Sequence, residues 1–195
     1  MELMTHPADL AAAGWLVDST LPFERLVCFG PAGFEAAARL RFIPDPTGPD
    51  QDEADVDVAA DHPSDLAQTA LALHLLATHT AQTDDCFFCL WEGYPYAQLP
   101  TLPAESLVVV PHRRYALFRG PLADIDTFAR DFGEGRDVAP PAFVWPADQA
   151  WCLACDVDPH WAGVGGAQAA IDSLVAAPHL DVVPARPEEP QPLYY

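Results

Sequence analysis

Two cysteine pairs carry the most pointed chemistry in this chain, Cys86-x-x-Cys89 and Cys152-x-x-Cys155. Four thiolates at that local spacing wrap one tetrahedral Zn²⁺ when each pair sits on a turn that aims both sulfurs inward. Here the intervening residues are Phe87-Phe88 and Leu153-Ala154, inside strand-like apolar runs. Positions i and i+3 of a regular strand face opposite sides, and the gap between the pairs is far longer than in ribbon-type fingers. The competing reading is four small buried hydrophobes. The chain has five cysteines, an odd count that speaks against a disulfide framework and for reduced thiols.

A basic turn comes next. His112, Arg113 and Arg114, with Arg119 nearby, form the densest positive patch in the chain. Planar guanidinium groups grip carboxylate or phosphate in bidentate fashion, so the patch suits a small anion or an acidic peptide. The alternative is a solvated turn paired with some of the chain's acids, where such pairs are worth little. Asp156, Asp158 and His160 offer a third constellation, for a metal or for acid–base work. They would share a face if one strand ran through them, but Pro159 interrupts it. Val164-Gly165-Gly166 ahead of a helix could present backbone N–H groups to an anion, although it matches no phosphate-loop pattern. Trp91, Tyr94, Tyr96, Trp145, Trp151 and Trp161 line either a pocket or the core. Trp145 and Trp161 join His112, Arg113, Arg114 and Arg119 as the candidate anion- or partner-binding set. There is no Gly-x-Ser-x-Gly elbow, His-Glu-x-x-His or Walker A sequence, and no catalytic residue is assigned.

Charge bounds the partners. Acids number 29 against 9 bases, giving −20, and every base is arginine. Nucleic acid needs clustered cations to displace counterions, so a nucleic-acid partner is not expected. A basic protein partner fits, as does a small ligand; otherwise the acidity is a solvated surface. No apolar run approaches the ~20 residues of a membrane-spanning helix. Glu2 and Asp9, without a basic leader, argue against a secretory signal, so a cytoplasmic location is expected.

These residues must be held by elements whose signals are local. Residues 7–13 read as a short helix ended by Gly14, and residues 24–29 as a strand. Residues 34–42 alternate, with Arg39 and Arg41 on one face. Residues 55–58 alternate too, and a returning strand there would set Asp55 and Asp57 against those arginines. Ser64 caps a helix running from residue 65 to about residue 80. Residues 86–91 form an apolar strand, and residues 107–110 and 115–119 a hairpin. A helix follows Gly120-Pro121 and ends at Gly133. Strands at 150–156 and 161–164, a helix opened by Gly165-Gly166, and a strand at 180–183 complete the pattern. Half the residues are hydrophobic, ample for a packed core. Strands come in runs between helices, which predicts an α+β fold with mixed or antiparallel sheets and about four helices. The expected organisation is one domain over residues 1–183, with sub-halves 1–80 and 81–183, and a proline-rich extended tail over 184–195. That tail is expected to be poorly ordered unless Tyr194 and Tyr195 dock.

Across residues 84–184 the sequence resembles a family of actinobacterial proteins with no assigned activity. The carrying segments run from Cys86 to Tyr94, from Pro111 to Leu122, from Trp145 to Asp158, and from Gly163 to Gly166. The resemblance implies a bacterial cytosolic protein and brings no cofactor or site residue. Two functions are left. One is a non-enzymatic acidic module that binds a protein or small ligand, in its most concrete form an immunity-like protein neutralising a basic toxin. The other is a metal protein or small enzyme. It would use zinc on Cys86, Cys89, Cys152 and Cys155, or the Asp156–His160 cluster.

Overall fold

Eight antiparallel strands form one sheet with five α-helices around it, an α+β fold, in a computed structural model that describes residues 4–7, 9–94, 102–133 and 138–194. In chain order the elements are α1 (Gly14–Val17), α2 (Phe23–Phe29), β1 (Ala36–Arg41), α3 (Asp65–Leu76), β2 (Cys86–Trp91), β3 (Leu107–Val110) and β4 (Arg113–Gly120). There follow α4 (Phe128–Gly133), β5 (Phe143–Pro146), β6 (Trp151–Ala154), β7 (Trp161–Gly166), α5 (Gln168–Val175) and β8 (Val182–Ala185). Across the sheet the order is β3-β4-β2-β5-β6-β7-β1-β8. Strand β1 thus leaves the N-terminal third to sit between β7 and β8, and one sheet joins both halves of the sequence.

Both faces of the sheet are covered, which explains why β2 reads as an unbroken apolar run although it is antiparallel. On one face α3, α5 and the segment around α4 pack Leu73, Leu76, Phe128, Ile171 and Leu174 against Phe88, Val144 and Val164. On the other, α1 and α2 pack Leu16, Leu26 and Val27 against Phe87, Leu117 and Trp145. Alternation along each strand feeds the two cores in turn. As expected, the Ser64 hydroxyl accepts from the Ala67 N–H and caps α3. No helix among the described residues is long and apolar enough to cross a membrane.

Several local expectations are overturned. Residues 24–29 belong to helix α2, not to a strand. Pro22 stands at the N-cap, Glu24 in the first turn, and Gly30 after the last turn at φ 76°. These are helix punctuation, and they outweigh a short apolar run that fits either period. The helix lies close on β7 because Gly163 has no side chain; a Cβ there would overlap the Cys28 carbonyl. Gly14 begins α1 instead of ending a helix, and among the described residues the helical element before it is a 3₁₀ turn (Ala11–Ala13). Residues 55–58 form no strand, since β7 and β8 already flank β1. Gly165 and Gly166 lie within β7, and α5 starts at Gln168. Strand β5 was not foreseen, because its four residues lie between prolines that read as loop.

Candidate functional site

The two cysteine pairs do not converge. Cys86 and Cys155 sit in the core beneath α3 and α5, whereas Cys89 and Cys152 sit in the core beneath α1 and α2. The strand period that puts i and i+3 on opposite faces splits each pair across the sheet. Among the described residues no three His, Cys, Asp or Glu side chains are arranged to hold a metal ion. Burial pushes all four thiols up, Cys86 to about 12, and neighbouring carboxylates add to the rise at Cys86 and Cys155. Metal binding and nucleophilic attack need the thiolate, which these surroundings disfavour.

The basic turn is also dispersed. His112, at φ 62° in the β3–β4 turn, sets its ring edge-on to Phe23 at 5.3 Å. Arg113 reaches Asp156 at 3.4 Å and lies over the Trp91 ring, 4.7 Å from its centre. Arg114 holds Glu92, and Arg119 holds Asp85 through two bonds of 2.6 and 2.7 Å. Six residues along one strand separate Arg113 from Arg119, roughly 20 Å. Trp145 is fully buried, stacked on Phe87 at 5.4 Å. Trp151 is likewise core, Tyr94 packs on Trp91, and Tyr96 lies outside the described residues. The Asp156–His160 cluster separates too, because Asp156 turns to Arg113 while His160 turns to Asp45. The Gln168 N–H at the start of α5 is taken by the Glu35 carboxylate at 3.0 Å.

What the fold does bring together lies at the β7–β1–β8 margin. Asp45 accepts from Arg39 at 2.6 and 2.9 Å, from Arg41 at 2.9 Å and from His160 at 3.1 Å. Arg41 also holds Asp181 at 2.6 Å. The carboxylates opposite these arginines are therefore Asp45 and Asp181, not Asp55 and Asp57. Although burial opposes it, hydrogen bonds from Arg39, His160 and Arg41 hold the Asp45 carboxyl well below the usual carboxylate range. Burial holds His160 below its ordinary value, against the pull of Asp45. Arg39 lies over the Trp161 ring, 5.4 Å from its centre, so its buried guanidinium has an aromatic face as well as a carboxylate.

The C-terminal segment closes over this network. Trp161 Nε1 donates to the Pro192 carbonyl at 3.0 Å, the Tyr194 hydroxyl donates to the Pro44 carbonyl, and the Tyr194 ring meets His160 edge-on at 4.7 Å. Between this segment and α2 runs a cleft of two adjoining cavities. One, of about 380 Å³, is walled by Cys28, Phe29, Trp161, Pro190 and Leu193, with Glu24, Glu188 and Glu189 on its rim. The other, of about 310 Å³, has Ala37, Gly165 and Ala185 in its lining, one cross-strand row of β1, β7 and β8 with at most a methyl group per residue. Arg25, Phe29, Pro187 and Glu188 line both cavities. Of the residues singled out in the sequence, Trp161 reaches the larger cavity and Gly165 the smaller. Arg25, Glu188 and Asp45 carried no local pattern that could mark them, since tertiary packing alone assembles them.

Beside the tail runs an acidic loop. Asp50, Glu53, Asp55, Asp57 and Asp61 are exposed there and have no cationic partner. By contrast Arg39, Arg41, Arg113, Arg114, Arg119, Arg130 and Arg186 each hold a carboxylate. Comparison with family models, curated proteins and solved structures finds no match to this chain.

Proposed function

We propose that the chain is a non-enzymatic acidic binding module whose concave face, the cleft with the adjoining acidic loop, docks a basic protein. The observation that carries this reading is how the charge is distributed. Seven of the eight described arginines are held in internal pairs, whereas Glu24 and Glu188 at the cleft and Asp50, Glu53, Asp55, Asp57 and Asp61 on the loop hold no cation, and Glu189 on the rim is shared only with Arg186. A surface of one sign around low-dielectric walls draws an oppositely charged partner and speeds its encounter. Phe29 and Trp161 supply apolar wall for the buried centre that such an interface needs. An immunity-like role against a basic toxin is the most concrete form of this reading, in a cytoplasmic setting.

The test is affinity capture from the host with the tagged chain. One basic protein should be retained in stoichiometric amount at low salt and released as salt rises. The triple variant Glu24→Gln, Glu188→Gln, Glu189→Gln should retain much less of it. Repeated captures without a stoichiometric basic partner would remove the reading, as would capture that salt and the triple variant leave unchanged.

A further inference from the structure

We infer that the two-lobed cleft between α2 and the C-terminal segment is a binding site for a small zwitterion with an apolar substituent, of the amino-acid class. The inference stands apart from the basic-partner reading, since it requires only the purified chain.

Arg25 is the described arginine that holds no carboxylate, in a chain with acids to spare. It is half-buried on α2, at the waist where the two cavities meet. Glu188, on the tail, lines the same waist and has no cationic partner either. No ion pair joins the two, although both border one concavity. Opposite charges left apart across a cleft leave a gap that a ligand carrying both signs can fill. A guanidinium fork binds a carboxylate through two N–H groups, and the Glu188 carboxylate accepts from an ammonium.

The lobes set the rest of the ligand. The larger lobe is walled by Phe29 and Trp161 with Leu193, which suits an aromatic or large aliphatic side chain. Each cavity exceeds the lower bound for small-molecule sites, about 300 Å³. Single negative charge is favoured over double. Glu35 and Glu188 line the smaller lobe, so a dianionic phosphate meets more repulsion there than a carboxylate balanced by its own ammonium.

Calorimetric titration of the full chain tests this. The probes are L-phenylalanine, L-phenylalaninamide, which lacks the carboxylate, and N-acetyl-L-phenylalanine, which lacks the ammonium. L-phenylalanine should bind saturably at one site per chain, and each blocked analogue at least tenfold more weakly. Arg25→Gln and Glu188→Gln should each weaken L-phenylalanine at least tenfold. Neither side chain makes an internal bond, so circular dichroism and the melting temperature of both variants should match the parent. Three outcomes would overturn the inference: no saturable binding of L-phenylalanine up to its solubility, equal binding of the blocked analogues, or variants of unchanged affinity. A chain that captures a basic protein yet binds no amino acid would sink this inference alone.

Discussion

At the centre of the sheet, β2 and β6 bury Cys86, Cys89 and Cys152 as neutral thiols in apolar surroundings. At the β7–β1–β8 margin the same sheet buries Arg39 as an ion against a partly buried Asp45, with the buried His160 beside them. The residue types most suggestive of chemistry are thus used as hydrophobes, and ordinary charged residues form the concentrated polar site. Position decides. In the centre two helical layers exclude water and no counter-charge is at hand, so only the neutral form is tolerated. At the margin Asp45 comes from the loop after β1, and Arg39 and Arg41 converge on it from the strand.

The largest effects should come from removing one keystone on each side. Trp145→Ala empties a fully buried aromatic site in the centre and should cost ~4 kcal/mol, the range for large aromatics cut to alanine. Asp45→Ala strands the almost fully buried Arg39 guanidinium, while Arg41 keeps Asp181, and should cost ~3 kcal/mol. Denaturant midpoints of both variants check this. If Asp45→Ala left the midpoint unchanged, the margin would be a solvated surface and the contrast would fail.

Much of the centre was legible in the sequence, and the reasons are local. Cys86–Trp91 and Leu107–Val110 read as strands because their apolar runs are short and punctuated. Ser64 marked α3 through its capping hydroxyl. The margin was not legible. Arg39 and Arg41 were seen to share a face, but their partners lie on a loop at Asp45 and, far along the chain, at Asp181. Alternation at residues 55–58 imitated a strand whose place is held by β7 and β8. The tail needed Tyr194 to dock in order to be fixed, and that contact depends on where Pro44 and His160 end up.

Acidity and alkalinity should attack the two regions separately. Asp45 has a folded pKa below its ordinary 3.8, and His160 one below its ordinary 6.5. In both cases the unfolded chain binds the proton more readily, so stability is full above the ordinary value and falls as pH drops through it. The central thiols are raised above their ordinary 9.0. Above that pH the unfolded chain sheds protons that the native state retains, and stability falls as pH rises. Unfolding free energy should therefore plateau between about pH 6.5 and 9, declining on either side. His160→Gln should flatten the first part of the acid decline and leave the alkaline one. Cys152→Ala should do the reverse. An acid decline that His160→Gln leaves intact would remove His160 from the account.

The smallest effect concerns reactivity and leaves the fold intact. Cys28 is partly exposed on the cleft wall, whereas the other four cysteines are buried. Burial pushes its thiol up to about 12, and Asp156, Asp158 and Glu24 add to the rise. Alkylation rate follows the thiolate fraction and access, so at neutral pH Cys28 should react slowly and the others not at all. Removing residues 186–195 uncovers the cleft wall and relieves part of that burial. Labelling of Cys28 should then quicken several-fold, while the four central thiols stay protected and the native circular dichroism persists. If the truncation released all five thiols together, the tail would be holding the whole sheet closed. The division into a dry centre and a polar, tail-covered margin would then be wrong.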